Sequence, residues 1–167
     1  MQNSRTSRRS LRSALVAALM GASALSGTGL AHAESDPTID VNSNAESTLQ
    51  SMEKCADHSE EFRFRFYYSP EYQGAWVNVG HNIYDLMYIK MMYSPAYPLR
   101  FCENGSGGGQ QVANNAASAY NWYEGYVGTI HTSAGYKGDW EMIGPRSGHA
   151  VLNTRNDNRS IEFSRTW

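Results

Sequence analysis

The chain has 167 residues with 14 Lys plus Arg against 16 Asp plus Glu, a formal net charge of −2 and 12% aromatic residues. That balance argues against a nucleic-acid partner, because phosphate binding needs a basic patch. Enzyme signatures are missing too: there is no His-Glu-x-x-His or Gly-x-Ser-x-Gly pattern. His58, His81, His131 and His149 are scattered and read as packed or surface residues, not as bases.

Residues 1–33 read as an export signal. Arg5, Arg8, Arg9 and Arg12 form a basic head, residues 14–30 are mostly apolar and small, and Ala31-His32-Ala33 fits the small-x-small cleavage rule. Ser7-Arg8-Arg9-Ser10-Leu11 invites a twin-arginine reading, although the general secretory route is the expected one. The mature chain then begins at Glu34, is soluble and extracellular, and has no membrane partner, since no other stretch approaches about 18 consecutive apolar residues. Its Lys plus Arg falls from 14 to 10 against 16 Asp plus Glu, a net charge of −6. Residues 34–51 hold no aromatic residue and few large apolar ones, which predicts a disordered acidic lead-in. The folded domain is expected over 52–167, as a monomer.

In that domain Phe62, Phe64 and Phe66 alternate with Arg63 and Arg65, and Trp76 follows a Ser69-Pro70 turn and Gly74, so a hairpin is predicted over 62–79. Gly74 permits a positive φ and leaves room for the ring of Tyr72 or Tyr67 to lie across the backbone. Cys55 and Cys102 form an even pair in an exported domain, most simply one disulfide, with a metal site as the weaker alternative. Closing that loop stabilises the fold by about 4 kcal/mol on the chain-entropy account. Residues 83–92 are compatible with a helix or a strand, with the Met and Tyr residues read as core. Residues 93–98 are extended by Pro95 and Pro98, and 104–109 form a flexible glycine loop. Strand signals return at 119–124, 127–131, 139–143, 150–152 and 159–163, punctuated by glycines, which predicts an all-β sandwich or barrel.

One pattern occurs twice. Tyr67 and Tyr72-x-Gly74 precede Trp76, and His131 and Tyr136-x-Gly138 precede Trp140. Each copy is trailed by an Asn/Asp-rich hexad, at 114–119 and at 156–161. This pattern resembles the βγ-crystallin superfamily, with its aromatic-x4-aromatic-x-Gly folded hairpin and its [Asn/Asp]-[Asn/Asp]-x-x-[Ser/Thr]-Ser calcium loop. The match looks closest to the small secreted actinobacterial proteins grouped with the Streptomyces metalloproteinase inhibitor, the peptidase inhibitor I36-like family. It spans residues 62–163. His131 departs from the leading aromatic, Ala119 and Ile161 replace the final Ser, and a longer spacing between the first hairpin and its hexad implies an insertion.

The resemblance implies two Greek key motifs in a two-sheet sandwich, with the insertion in the first motif. It nominates Asn115, the Ala116 carbonyl and Ser118 for one calcium ion, and Asp157, the Asn158 carbonyl and Ser160 for another. With one carboxylate among them, binding in the ~10⁻⁴ to 10⁻³ M range is expected. The alternative is that these Asn and Ser side chains close turns with no metal, and no cofactor is required. His131 is read as packing its hairpin.

The leading expectation is a non-enzymatic binding protein that inhibits an extracellular metalloprotease through a restrained loop. Leu99, Arg100, Phe101, Cys102 and Glu103, with Asn104, are the candidate loop, Leu99 and Phe101 filling apolar subsites; the alternative is an insertion pinned for stability. A calcium-stabilised structural or envelope-associated module, and a toxin or carbohydrate-binding module, are the other readings.

Overall fold

Phe64 and Phe66 are fully buried while Arg65 between them turns outward, and this alternation sets the centre of the first sheet. The computed structural model describes residues 34–39, 41–151 and 153–167. The export signal read in 1–33 lies outside the described residues, as does Leu152 at the end of an expected strand. In chain order come α1 (Val41–Gln50), a 3₁₀ turn (Met52–Cys55), β1 (Phe64–Ser69), β2 (Gln73–Val79), β3 (Ile89–Met91), β4 (Ser94–Tyr97), β5 (Ser118–Asn121), β6 (Tyr126–Ser133), β7 (Lys137–Ile143), β8 (Ser147–Ala150) and β9 (Ser160–Arg165).

The first sheet runs β2-β1-β5-β8 and the second β7-β6-β9, with antiparallel pairs throughout. β8 lies in sequence among strands of the second sheet yet pairs with β5 of the first. The exchange is reciprocal. Ile83, which follows β2, bridges Ile161 in β9, with Ile83 N donating to Ile161 O at 2.8 Å and Ile161 N returning to Ile83 O at 3.1 Å. Each motif thus lends its third segment to the other's sheet, which makes the fold two Greek keys in an all-β sandwich. The first motif's third strand is cut to one bridge because the insertion begins there.

Phe64, Phe66, Val77 and Val79 of the first sheet share a core with Ile130, Ile143, Ile161 and Phe163 of the second. Gly128 lets the sheets close: a Cβ there would stand 2.5 Å from the Phe64 ring, which meets Phe163 edge-on at 5.5 Å. Tyr123 is fully buried, and its hydroxyl donates to Glu61 O at 2.7 Å and Gly80 O at 3.3 Å. Burial pushes its pKa up.

Three expectations change. Residues 34–51 are not a disordered lead-in: α1 buries Ala45 and Thr48 and packs on β3. The Glu34 carboxylate accepts from Glu124 N at 2.7 Å and Gly125 N at 3.0 Å. A polar segment is held here by hydrogen bonds to exposed backbone, which hydrophobicity does not register. Residues 83–92 are neither one helix nor one strand. Ile83, Leu86 and Ile89 are buried around a turn in which the Asp85 carboxylate accepts from Met87 N at 2.9 Å, and only then does β3 begin. The glycine loop 104–109 is docked instead of free: Ser106 O accepts from Ala75 N at 2.8 Å, Asn104 Oδ1 accepts from Trp76 N at 3.0 Å, and Gly107 lies against the Tyr68 ring. It covers the start of the β2 edge. The Cys55–Cys102 disulfide is formed, Cα to Cα 5.8 Å, and ties the 3₁₀ turn to this loop.

His81 is buried with its ring edge-on to Phe62 at 5.4 Å and Nε2 3.6 Å from Glu61 Oε1. Desolvation holds its pKa below the ordinary 6.5, against a smaller opposing pull from Glu61. Below about pH 6.5 the unfolded chain therefore binds a proton that the folded chain refuses, so stability declines as pH falls until the folded ring protonates. His81→Gln is expected to flatten the change in unfolding free energy between about pH 7.5 and about pH 5, measured by denaturant titration. An unchanged slope would assign the proton to another group.

Candidate functional site

Both hairpins contain three residues in left-handed backbone at matching positions. In the first these are Glu71 (φ 55°), Tyr72 (φ 60°) and Gly74 (φ 74°), and in the second Gly135 (φ 74°), Tyr136 (φ 60°) and Gly138 (φ 80°). A bulky residue at positive φ is strained and needs its surroundings to hold it. The hexad serines supply that hold. Ser118 Oγ accepts from Tyr72 N at 3.1 Å and donates to Ser69 O at 2.7 Å; Ser160 Oγ accepts from Tyr136 N at 3.1 Å and donates to Ser133 O at 2.7 Å. The rings complete it. Tyr72 stands edge-on to Tyr67 at 5.5 Å and Tyr120 at 5.8 Å, and Tyr136 packs on His131 at 6.1 Å and Tyr84 at 5.9 Å. His131 therefore occupies the place of Tyr67, with Nε2 3.0 Å from Glu162 Oε1. A Cβ at Gly74 would meet Ser106 O at 2.9 Å, and one at Gly138 would clash with Thr132 Oγ1.

The two hexads face each other. Asn114 (φ 62°) and Asn156 (φ 56°) open them in left-handed backbone, which Asn tolerates. Asn114 N donates to Asn158 O at 2.9 Å, and Asn156 N reaches Ala116 O at 3.4 Å. Asn158, fully buried, reaches across: its Nδ2 donates to Ala116 O at 2.8 Å and its Oδ1 accepts from Ala116 N at 3.3 Å. The nominated calcium donors are thus engaged within the protein. Both nominated carbonyls accept backbone or side-chain N–H groups, and both serine hydroxyls bridge their hairpins. Asn115 Nδ2 donates to Gln111 O at 3.0 Å, and Asp157 is exposed. Calcium takes 6–8 oxygen ligands, and among the described residues no three His, Cys, Asp or Glu gather as a metal group. The arrangement is therefore expected to act as a metal-free clamp between the hexads.

The loop nominated for inhibition is folded inward. Leu99, Phe101 and Cys102 are buried, while Arg100, Glu103 and Asn104 are exposed. Leu99 N donates to Leu86 O, Val112 N to Leu99 O and Phe101 N to Gln110 O, so residues 99–101 run as a ladder with 110–112. Alternating apolar residues are turned into the core here by a single bridge between Arg100 and Gln111, and that same alternation suggested subsite-filling side chains.

What the chain does expose lies nearby. Tyr93 is 93% and Met92 72% exposed at the tip of the β3–β4 ribbon, and Tyr84, Tyr88 and Tyr97 are exposed around it. Sequence reading assigned Tyr84, Tyr88 and Met92 to the core and left Tyr93 and Tyr97 in an extended segment. The signal that separates them is Pro95 in β4, which marks a ribbon with no further strand beside it. A second exposed group lies on the outer face of the first sheet, where the Arg65 guanidinium stacks 3.7 Å from the Trp76 ring centroid and 5.0 Å from that of Trp122.

No protein-family model matches the sequence, and no curated protein matches it. A solved structure described as "Evolution of the eye lens beta-gamma-crystallin domain fold" superposes with a TM-score of 0.46 at 12% sequence identity, over 67% of this chain and 94% of that one. Among the described residues no helix is long and apolar enough to cross a membrane.

Removing the Asn158 side chain leaves buried Ala116 N without its partner and Ala116 O with only the long contact from Asn156 N. Asn158→Ala is expected to cost about 2 kcal/mol of unfolding free energy and Ser160→Ala about 1–2 kcal/mol. Millimolar calcium is expected to leave the melting temperature of the unaltered protein where it is in chelator. A calcium-dependent rise, which linkage requires of any ligand of the native state, would overturn the metal-free clamp.

Proposed function

We propose that the protein is an exported, non-enzymatic binding protein of the inhibitor type, which presents the β3–β4 ribbon to the cleft of an extracellular metalloprotease. The observation that carries this reading is the exposure of Met92 and Tyr93 at the ribbon tip. Large apolar side chains held in water at the end of a convex element are suited to fill apolar subsites.

The ribbon is also restrained at its base. Glu46 in α1 accepts from Met92 N at 3.2 Å, buried Leu99 pins the chain leaving β4, and the disulfide fastens the helical arm to residue 102. Restraint of this kind lowers the ordering cost of binding. The disulfide fits an oxidising compartment. The protease class follows from the likeness of the doubled hairpin and hexad pattern to the metalloproteinase-inhibitor group, and the presenting element moves from residues 99–103 to the ribbon.

A panel of thermolysin-like and subtilisin-like secreted proteases, assayed with the purified protein at micromolar concentration, tests the reading. Stoichiometric inhibition of a metalloprotease is expected, weakened about tenfold or more by Met92→Ala/Tyr93→Ala, with the melting temperature unchanged because both side chains are exposed. Leu99→Ala/Phe101→Ala is expected to act on stability, since it empties core volume. Absence of inhibition across the panel while the protein stays intact would remove this function.

A further inference from the structure

The outer face of the first sheet carries an ordered stack that the second sheet lacks. Trp76, Arg65, Tyr120 and Trp122 turn away from the core. Arg65 lies between the two indoles, and Tyr120 meets Trp122 at 4.5 Å. Arg65 is immobilised by Asn78 Oδ1 at 2.7 Å, Asp57 O at 2.7 Å and Ala56 O at 3.2 Å, so the loop after the 3₁₀ turn is held against Trp122.

The internal repeat provides a control. In the second sheet Trp140 opposes His131 as Trp76 opposes Tyr67, but Thr129 stands where Arg65 is, Glu162 where Tyr120 is and Ser164 where Trp122 is. That copy folds without the stack. Its presence on one sheet alone points to a ligand.

Beside Trp122 lies a cleft of about 200 Å³, walled by Asp57, His58, Ser59 and Glu60 and floored by the Arg63 and Arg65 side of the sheet. It is smaller than the roughly 300–1,000 Å³ of pockets for drug-sized ligands, a volume for a single ring. Both guanidinium groups are already engaged, Arg63 by Glu34 at 3.4 Å and Arg65 by Asn78 and the 56–57 carbonyls, and two carboxylates stand on the wall, so the site does not favour phosphate. Polar side chains line the cleft beside one aromatic face, 37% exposed at Trp122. We propose that this cleft binds one neutral sugar ring of an oligosaccharide, its C–H face on the Trp122 indole and its hydroxyls shared among Asp57, Glu60 and His58. The site is separate from the β3–β4 ribbon and does not depend on the inhibitor reading.

The test titrates the full protein with cellohexaose and chitohexaose, with a heparin hexasaccharide and inorganic phosphate as charged comparisons, and follows the indole N–H resonances. A neutral oligosaccharide is expected to shift the Trp122 signal and leave that of Trp140 in place. Trp122→Ala is expected to weaken binding about tenfold, Trp122→Phe less, and Asp57→Asn/Glu60→Gln severalfold at an unchanged melting temperature. Protease inhibition is expected to survive all of these variants. No shift with either neutral oligosaccharide at millimolar concentration, a shift only with the charged probes, or equal affinity in a folded Trp122→Phe and Asp57→Asn/Glu60→Gln pair would each overturn the proposal.

Discussion

Two serine hydroxyls hold the strained parts of this sandwich. Ser118 and Ser160 each join the backbone N–H of a left-handed tyrosine to a carbonyl at the other end of the same hairpin, at the same pair of distances. A tyrosine at positive φ is unfavourable by itself, and the hydroxyl supplies what the turn cannot, a partner for an N–H that points away from any strand. Because both serines begin strands (β5 and β9) that pair with the first strand of their own hairpin, closing the hairpin and setting the strand register are one event. Everything outward of those strands inherits its position from them, including Tyr120 and Trp122 on one side and Glu162 on the other.

The dyad between the two motifs is closed unequally. Ala116 and Asn158 occupy the same place in their hexads, and across a symmetric contact two alanines would leave a peptide unpaired while two asparagines would overfill the space. One of each is complementary. The Asn158 amide mimics a backbone strand against the Ala116 peptide, so the loops are stitched by two side-chain and two backbone bonds. A buried amide satisfied in this way adds specificity to the pairing of the motifs as well as stability.

Much of this was legible in the chain. Alternation about Phe64 and Phe66, the Tyr-x-Gly-x-Trp repeat and the glycine punctuation give the hairpins, the later strands and the two Greek keys. The Asn-initiated hexads give turns at the right places. The sequence could not tell that Ser118 and Ser160 face inward to their hairpins, since a hydroxyl at that spacing serves a metal or a backbone equally well. Nor could it separate Leu99 and Phe101, which are buried, from Met92 and Tyr93, which are exposed: all four are large and apolar, and only the hydrogen bonds to segment 110–112 distinguish them. Segment 34–51 was illegible for the opposite reason. Its anchors are the carboxylates of Glu34 and Asp36, which meet partners about 90 to 130 residues away along the chain, and no local pattern encodes such contacts.

The repeat also divides what the scaffold requires from what it carries. Positions that match between the copies, namely the left-handed tyrosines, the hexad serines, the opening asparagines and the tryptophans of β2 and β7, are used by the fold. Positions that differ are free of that demand. They fall in two places: the stretch between Ile83 and Val112, present in the first motif alone, and the outer face of the first sheet, where Arg65, Tyr120 and Trp122 replace Thr129, Glu162 and Ser164. Both are anchored by the same device, the 3₁₀ turn fastened through Cys55 to Cys102. Its downstream loop wraps Arg65, and its upstream helix packs on β3. The disulfide therefore orders two separate surfaces at once, and those surfaces are where the two motifs cease to be copies of each other.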